Sequence, residues 1–214
     1  MATDSVGATP SRWERLVSGV YDQFLWLGER RGMRRRRANL LRGATGRTLE
    51  IGAGTGLNLP HYPAEVDELL LTEPSAPMAE ALRRRAARGD RPATVLSASA
   101  EDLPVPNASV DTVVSTLVLC TVPDTAAALA EVARVLRPGG RFLFCEHVLS
   151  DSEVLAGVQQ RLARPWAAFA IGCRCDRSIL DDITATLRLD RIEHGAWRGM
   201  PPVVRPLVIG SALR

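Results

Sequence analysis

Thr48-Leu49-Glu50-Ile51-Gly52-Ala53-Gly54-Thr55-Gly56 decides the fold: four residues of strand character run straight into three glycines spaced G-x-G-x-G. A strand ending in such a turn, with a helix to follow, brings bare backbone close to a ligand where a side chain would collide. A dinucleotide fingerprint reads G-x-G-x-x-G, and position 57, where its third glycine would fall, is Leu. The acidic Glu50 just ahead of the turn also opposes a phosphate.

Outward from this turn, short apolar runs alternate with helical stretches. Thr48 to Ile51, Leu69 to Thr72, Thr94 to Ser97, Val110 to Thr116 and Phe142 to Glu146 read as buried strands, and Ser75 to Arg88 and Asp124 to Leu136 as helices. Ser75 and Asp124 stand at helix starts, and Pro138-Gly139-Gly140 ends the second helix before the fifth strand. The stretch 151–187 is helical in pattern but broken at Pro165 and Gly172. Strand-like runs follow near 189–194 and 203–209, as a cover over the site followed by an antiparallel hairpin. The expectation is an α/β fold: a Rossmann-like, seven-stranded sheet, parallel except for its last hairpin, with helices on both faces and ligands at the carboxyl ends of the strands. Residues 1–10 read as a disordered tail and 11–214 as a single domain. That domain opens with a helix over 11–42, whose apolar stripe is Trp13, Leu16, Val17, Val20, Tyr21, Phe24 and Leu27.

With 214 residues, 46% hydrophobic and 24% charged, the chain suits one domain with a full core. No run reaches the roughly eighteen apolar residues of a membrane span and no signal segment is evident, so a cytoplasmic protein is expected. All 27 basic residues are Arg, and the net charge of +3 is too small to indicate nucleic acid. Arg30, Arg31 and Arg34 to Arg37 read as a solvated helix face, with contact to a membrane surface or an anionic substrate as the alternative. Cys120 and Cys145 lie in or beside strand-like runs. Cys173 and Cys175 form one pair with no second, so no metal is expected. Oligomeric state leaves no signal.

Glu73 closes the second strand, where a carboxylate can accept hydrogen bonds from both hydroxyls of a ribose. Ala98-Ser99-Ala100-Glu101-Asp102-Leu103-Pro104 follows the third strand, and Ser115 to Cys120 leaves the fourth. In this order the four features resemble the class I methyltransferases that use S-adenosylmethionine and release S-adenosylhomocysteine. The resemblance implies that Glu50, Gly52, Ala53, Gly54, Gly56 and Asn58 surround the methionine part. It further implies Glu73 and Pro74 at the ribose, Ala100 and Glu101 at the adenine, and a backbone contact at Leu117. Ser99 stands where many relatives carry Asp. Tyr21 would close over the methionine end, core packing being the competing reading.

A closer likeness runs through Glu50 to Asn58, His61-Tyr62-Pro63, Ser115 to Val122, Val135 to Gly140 and Glu146-His147-Val148. It continues past the cofactor half in Gln159-Gln160, Pro165-Trp166, Gly172-Cys173 and Arg177. Together these look like the methyltransferase-like alkyl-thiol S-methyltransferases, whose membrane-anchored members begin with an apolar helix where this chain has a polar tail. The resemblance implies S-methylation of a small-molecule thiol: an alkyl thiol, sulfide or reduced dithiol natural product, in detoxification or natural-product biosynthesis. Such a thiol, with a pKa of about 8.5, needs no strong base. His61, Tyr62, Glu146, Trp166 and Arg177 would shape the acceptor pocket. His147, at the end of the fifth strand, is the candidate general base, with a structurally bonded histidine as its competitor. The alternatives are an N- or C-methyltransferase of a phospholipid head group or quinone, and a non-catalytic cofactor-binding regulator.

Overall fold

The computed structural model describes residues 21–170 and 172–214. Seven strands form one sheet: β1 (Gly46–Ile51), β2 (Val66–Thr72), β3 (Thr94–Leu96), β4 (Val110–Thr116), β5 (Leu136–His147), β6 (Arg188–Ala196) and β7 (Pro206–Leu213). Their order is β3-β2-β1-β4-β5-β7-β6. The first five run parallel, and β7 is antiparallel to both neighbours. The chain leaves β1 toward β2 and β3 on one side and returns to β4 and β5 on the other. The carboxyl ends of β1 and β4, where Ile51 lies opposite Ser115, therefore flank the crevice in which such sheets bind ligands.

The helices are α1 (Arg34–Leu41), α2 (Ala76–Ala86), α3 (Thr125–Val135), α4 (Glu153–Phe169) and α5 (Ile179–Thr186), preceded by a helical stretch at 21–28. Ala128, Leu129, Val132 and Val135 put one apolar face of α3 into a core with Leu49, Val113 and Phe142, and Ile179 and Ile183 bring α5 to the same side. Alternate residues Leu71, Val114 and Leu143 face the other way, toward Leu41 of α1 and Leu82 of α2. Strands covered on both faces are thus apolar throughout, which is why no alternation shows in their sequence. Asp124 caps α3 by accepting from the Ala127 amide at 3.0 Å, worth about 1 kcal/mol. Ser75 makes no side-chain cap; its amide instead donates to Glu73 Oε1 at 2.9 Å.

Three expectations need correction. The helix foreseen over 11–42 is not continuous: it kinks at Arg31 and Gly32 (φ +127°), so 21–28 and α1 are separate segments. Its residues 11–20, like the tail at 1–10, lie outside the described residues. Pro138-Gly139-Gly140 falls within the opening of β5 rather than ending a helix, since α3 stops at Val135 and the pairing with β4 jumps from Leu136 to Arg141. Pro165 does not break α4, which runs through it to Phe169. Among the described residues no helix is long and apolar enough to cross a membrane.

Candidate active site

The glycine turn stands on a buried polar floor. Glu50, at the end of β1, accepts from Asn58 Nδ2 at 2.9 Å and from the Tyr62 hydroxyl at 2.6 Å. Asn58 Nδ2 also donates to Thr116 Oγ1 at 2.9 Å, and Arg37 reaches Asn58 Oδ1 at 3.0 Å, Thr116 Oγ1 at 2.9 Å and Glu29 at 3.0 Å. Burial pushes the Glu50 carboxyl up to about 7 against the Tyr62 and Asn58 hydrogen bonds, which favour its charge. The network ties α1, β1 and β4 beneath the loop.

Above this floor the loop turns through Gly52 (φ +56°) and Gly54 (φ +57°), both left-handed. At Gly52 a Cβ would fall 2.6 Å from Val118 Cγ1; at Gly54 it would meet no atom of the described residues within 4 Å. Gly52 is therefore held against protein, and Gly54 faces open space. Glu73 lies across that space, accepting from the Gly54 amide at 2.8 Å, and burial raises its carboxyl above the usual range. A bare loop, an open cleft and a partly desolvated carboxylate at the adjoining strand end fit a nucleoside cofactor whose ribose hydroxyls donate to Glu73. Ala100 is buried beside this edge, and Glu101 Oε1 accepts from the Asp124 amide at 3.3 Å.

On the far side of the crevice Leu117 adopts φ +62°, a conformation that costs a side-chain-bearing residue about 1–3 kcal/mol. Glu146 holds it there: its carboxylate accepts from Ser115 Oγ at 2.6 Å and from the Val118 and Leu119 amides at 3.2 Å. Burial raises Glu146 to about 7. Arg177 braces the same loop from outside, donating to the Leu119 and Val122 carbonyls, both at 2.7 Å.

Beyond Leu117 lies an apolar cluster that includes Tyr21, Trp166, Trp197, Met200, Cys120 and Cys173, with His147 beside the two cysteines. Cys173 Sγ is 3.3 Å from His147 Nε2 and receives the Trp166 indole N–H at 3.2 Å. A hydrogen bond from Cys120, opposed by burial and aided by the His147 charge, brings the Cys173 thiol down to about 5. For His147 burial opposes the charged form, but Cys173 outweighs it and the net shift is upward. Tyr21 links the two halves of the site. Burial raises its hydroxyl, and the charges of Arg37, Cys120, Glu73 and Cys173 all reach it.

A family model described as "Methyltransferase domain" matches residues 49–144. The chain is 32% identical over 195 residues to phosphatidylethanolamine N-methyltransferase of Cereibacter sphaeroides, covering 91% of this chain and 92% of that protein. It is 36% identical over 184 residues to thiol S-methyltransferase TMT1B of Homo sapiens, covering 81% and 74%. The chain belongs to the S-adenosylmethionine-dependent methyltransferases. Solved structures carry the same fold. A possible histamine N-methyltransferase of Thermotoga maritima matches with a TM-score of 0.67 at 21% identity, covering 94% of this chain and 97% of that one. N-methyltransferase NodS of Bradyrhizobium japonicum in complex with S-adenosyl-L-homocysteine matches at 0.64 and 16% identity, covering 85% and 86%.

The methyltransferase gathers Tyr21, Glu50, Gly52, Gly54, Asn58, Glu73 and Leu117 around one crevice, and S-adenosylmethionine is its cofactor. The residues expected to shape the acceptor pocket separate. Trp166 packs on the apolar cluster and shares the Cys173 sulfur with His147, whereas the polar groups of Tyr62, Glu146 and Arg177 are spent on internal hydrogen bonds. His61 lies outside, near Arg34 and Arg37, and burial and their charges lower its pKa. Arg37 is not on a solvated face but is 4% exposed. Sequence reasoning assigned no site role to Arg37 or Cys120, and it named Gln159 only within the likeness past the cofactor half. Gln159 is fully buried and bonds Ser150, Val148, Cys175 and Val203, each at 2.8–3.0 Å.

Proposed function

We propose that this methyltransferase S-methylates a small, lipophilic thiol. The observation that carries the reading is the cluster beside Leu117, whose side chains are aromatic, aliphatic and sulfur-bearing and whose polar contributions are an imidazole, an indole N–H and a phenol. Apolar surroundings favour an uncharged thiol over a hydrated ammonium group. The Trp166 indole N–H that reaches the Cys173 sulfur is the kind of donor that stabilises sulfur carrying negative charge. The identity to thiol S-methyltransferase TMT1B extends over 184 residues, well past the cofactor half.

The cofactor supplies an activated methyl group. The chain's own task is to hold the acceptor in line with it, exclude water and accommodate the thiol's proton. Tyr21, Leu117 and Trp166 lie on the acceptor side, with His147 beside Cys173.

Methylation of a phospholipid head group is the second reading. Its support is the 32% identity to the Cereibacter sphaeroides enzyme and a groove of about 1150 Å³ lined by Arg31, Arg35, Arg36, Arg42, Arg141 and Arg191. That groove runs from Arg141 to Ile209, which pairs with Cys145 two residues before His147.

A labelled-methyl assay over thiols, phenols, amines, quinones and phosphatidylethanolamine vesicles tests both. The expected result is turnover confined to thiols; amine or lipid turnover without thiol turnover would overturn the proposal.

A further inference from the structure

Cys120, His147 and Cys173 are far apart in sequence, yet their ligand atoms all lie within 4.8 Å of one another and all three residues are buried. Each comes from a different element: the loop after β4, the end of β5 and the segment after α4. The Cys173 sulfur and His147 Nε2 are already 3.3 Å apart, close to the spacing of two ligands on one ion. Among the described residues His147 Nδ1 has no hydrogen-bond partner, and a proton on Nδ1 leaves the Nε2 lone pair free beside the Cys173 sulfur. The Trp166 N–H on the Cys173 sulfur is the outer-shell donor that a metal-bound thiolate uses.

We propose that Cys120, His147 and Cys173 bind one zinc ion, and that the ion receives the acceptor thiol. The inference rests on the thiol reading above. Two thiolates and an imidazole are a donor set for zinc, and catalytic zinc takes three protein ligands and keeps a further position for water or substrate. The site adjoins the transfer point, because Cys120 Sγ lies 3.6 Å from the carbonyl of Leu117. On binding, the acceptor thiol gives up its proton to solvent and coordinates as thiolate. Its sulfur lone pair forms the new bond to the methyl carbon, the old carbon–sulfur bond breaks, and that electron pair returns to the cofactor sulfur. The neutral thioether, a poorer ligand, then leaves. His147 serves here as a ligand rather than as the base.

The test uses the full chain, reduced, stripped with a chelator, reloaded with zinc and gel-filtered, with metal content then measured. Native protein and the Cys175→Ser control should retain one equivalent. Cys120→Ser and Cys173→Ser should lose retention by about tenfold or more while still binding S-adenosylmethionine, which shows that they are folded. Cobalt in place of zinc should give thiolate-to-metal charge-transfer bands and visible bands that shift when a thiol is added. No retained metal, equal retention in the variants, or a Cys120–Cys173 disulfide in freshly purified protein would overturn the site. Undiminished thiol turnover by zinc-free protein would overturn the ion's role and leave the thiol reading intact. Zinc binding accompanied by amine turnover alone would overturn the thiol assignment and leave the site.

Discussion

Gly52 and Gly54 stand two residues apart and share a left-handed backbone, so alanine at each separates what the loop does for the fold from what it does for the ligand. Left-handed alanine costs about 1–2 kcal/mol at either position. At Gly52 the new methyl also meets both Val118 methyls, at 2.6 and 2.8 Å. Carbon pairs settle at about 3.5–4.0 Å, so the Val118 loop must shift, at a cost of about 1–3 kcal/mol. Gly52→Ala should therefore lose about 2–5 kcal/mol, a fall in Tm of roughly 4–20 °C for a chain of this size. Gly54→Ala, with no atom of the described residues within 4 Å, should lose only the backbone strain, but its methyl occupies the cleft. Its affinity for S-adenosylmethionine should fall about tenfold or more, equivalent to 1.4 kcal/mol. Thermal melting and calorimetric titration with the cofactor read the two effects separately. Adding Val118→Ala to Gly52→Ala removes the colliding methyls, so the double variant should be more stable than the sum of the singles by about 1 kcal/mol. Native affinity in Gly54→Ala, or equal stability of the two single variants, would refute the reasoning.

Arg37→Met strands the Glu29 carboxylate and Asn58 Oδ1 in a buried setting, and chemical denaturation should show a loss of about 3 kcal/mol; a loss typical of a surface arginine would refute the buried floor. Glu50 titrates near 7 in the folded chain against an ordinary value of 4.5. The folded state thus keeps a proton that the unfolded chain releases, and stability from this group, full below pH 4.5, is lost as pH rises through 7. Unfolding curves of Glu50→Gln across that window should fall less steeply with pH than those of the parent, and identical slopes would contradict the assignment. Gln159→Met leaves the Ser150 amide and the Val148, Cys175 and Val203 carbonyls without this partner. At about 1–3 kcal/mol for each buried group left unmet, urea denaturation should register at least about 2 kcal/mol, and a neutral result would show that water replaces the side chain.

What the sequence determined by itself was everything local or periodic. The strand-turn-glycine signal at Leu49 to Gly56, the Glu at the end of β2 and the Asp124 cap each depend on neighbours a few residues away, and doubly covered strands announce themselves as unbroken apolar runs. These placed the parallel strands and the glycine turn along the chain, while their order in the sheet came from the tertiary structure. The acceptor side depended on side chains converging from distant segments, for which no sequence period exists. Composition made Arg37 look like one cation among six, and only the kink at Gly32 and the packing of α1 turned it inward onto Asn58 and Thr116. Cys173 was weighed against its neighbour Cys175, whereas the fold sets it against Cys120 and His147. Tyr62, Glu146 and Arg177 had the chemistry of pocket residues, and tertiary structure committed their polar atoms to holding the loops in place, because a buried polar group takes the partner that the surrounding backbone offers.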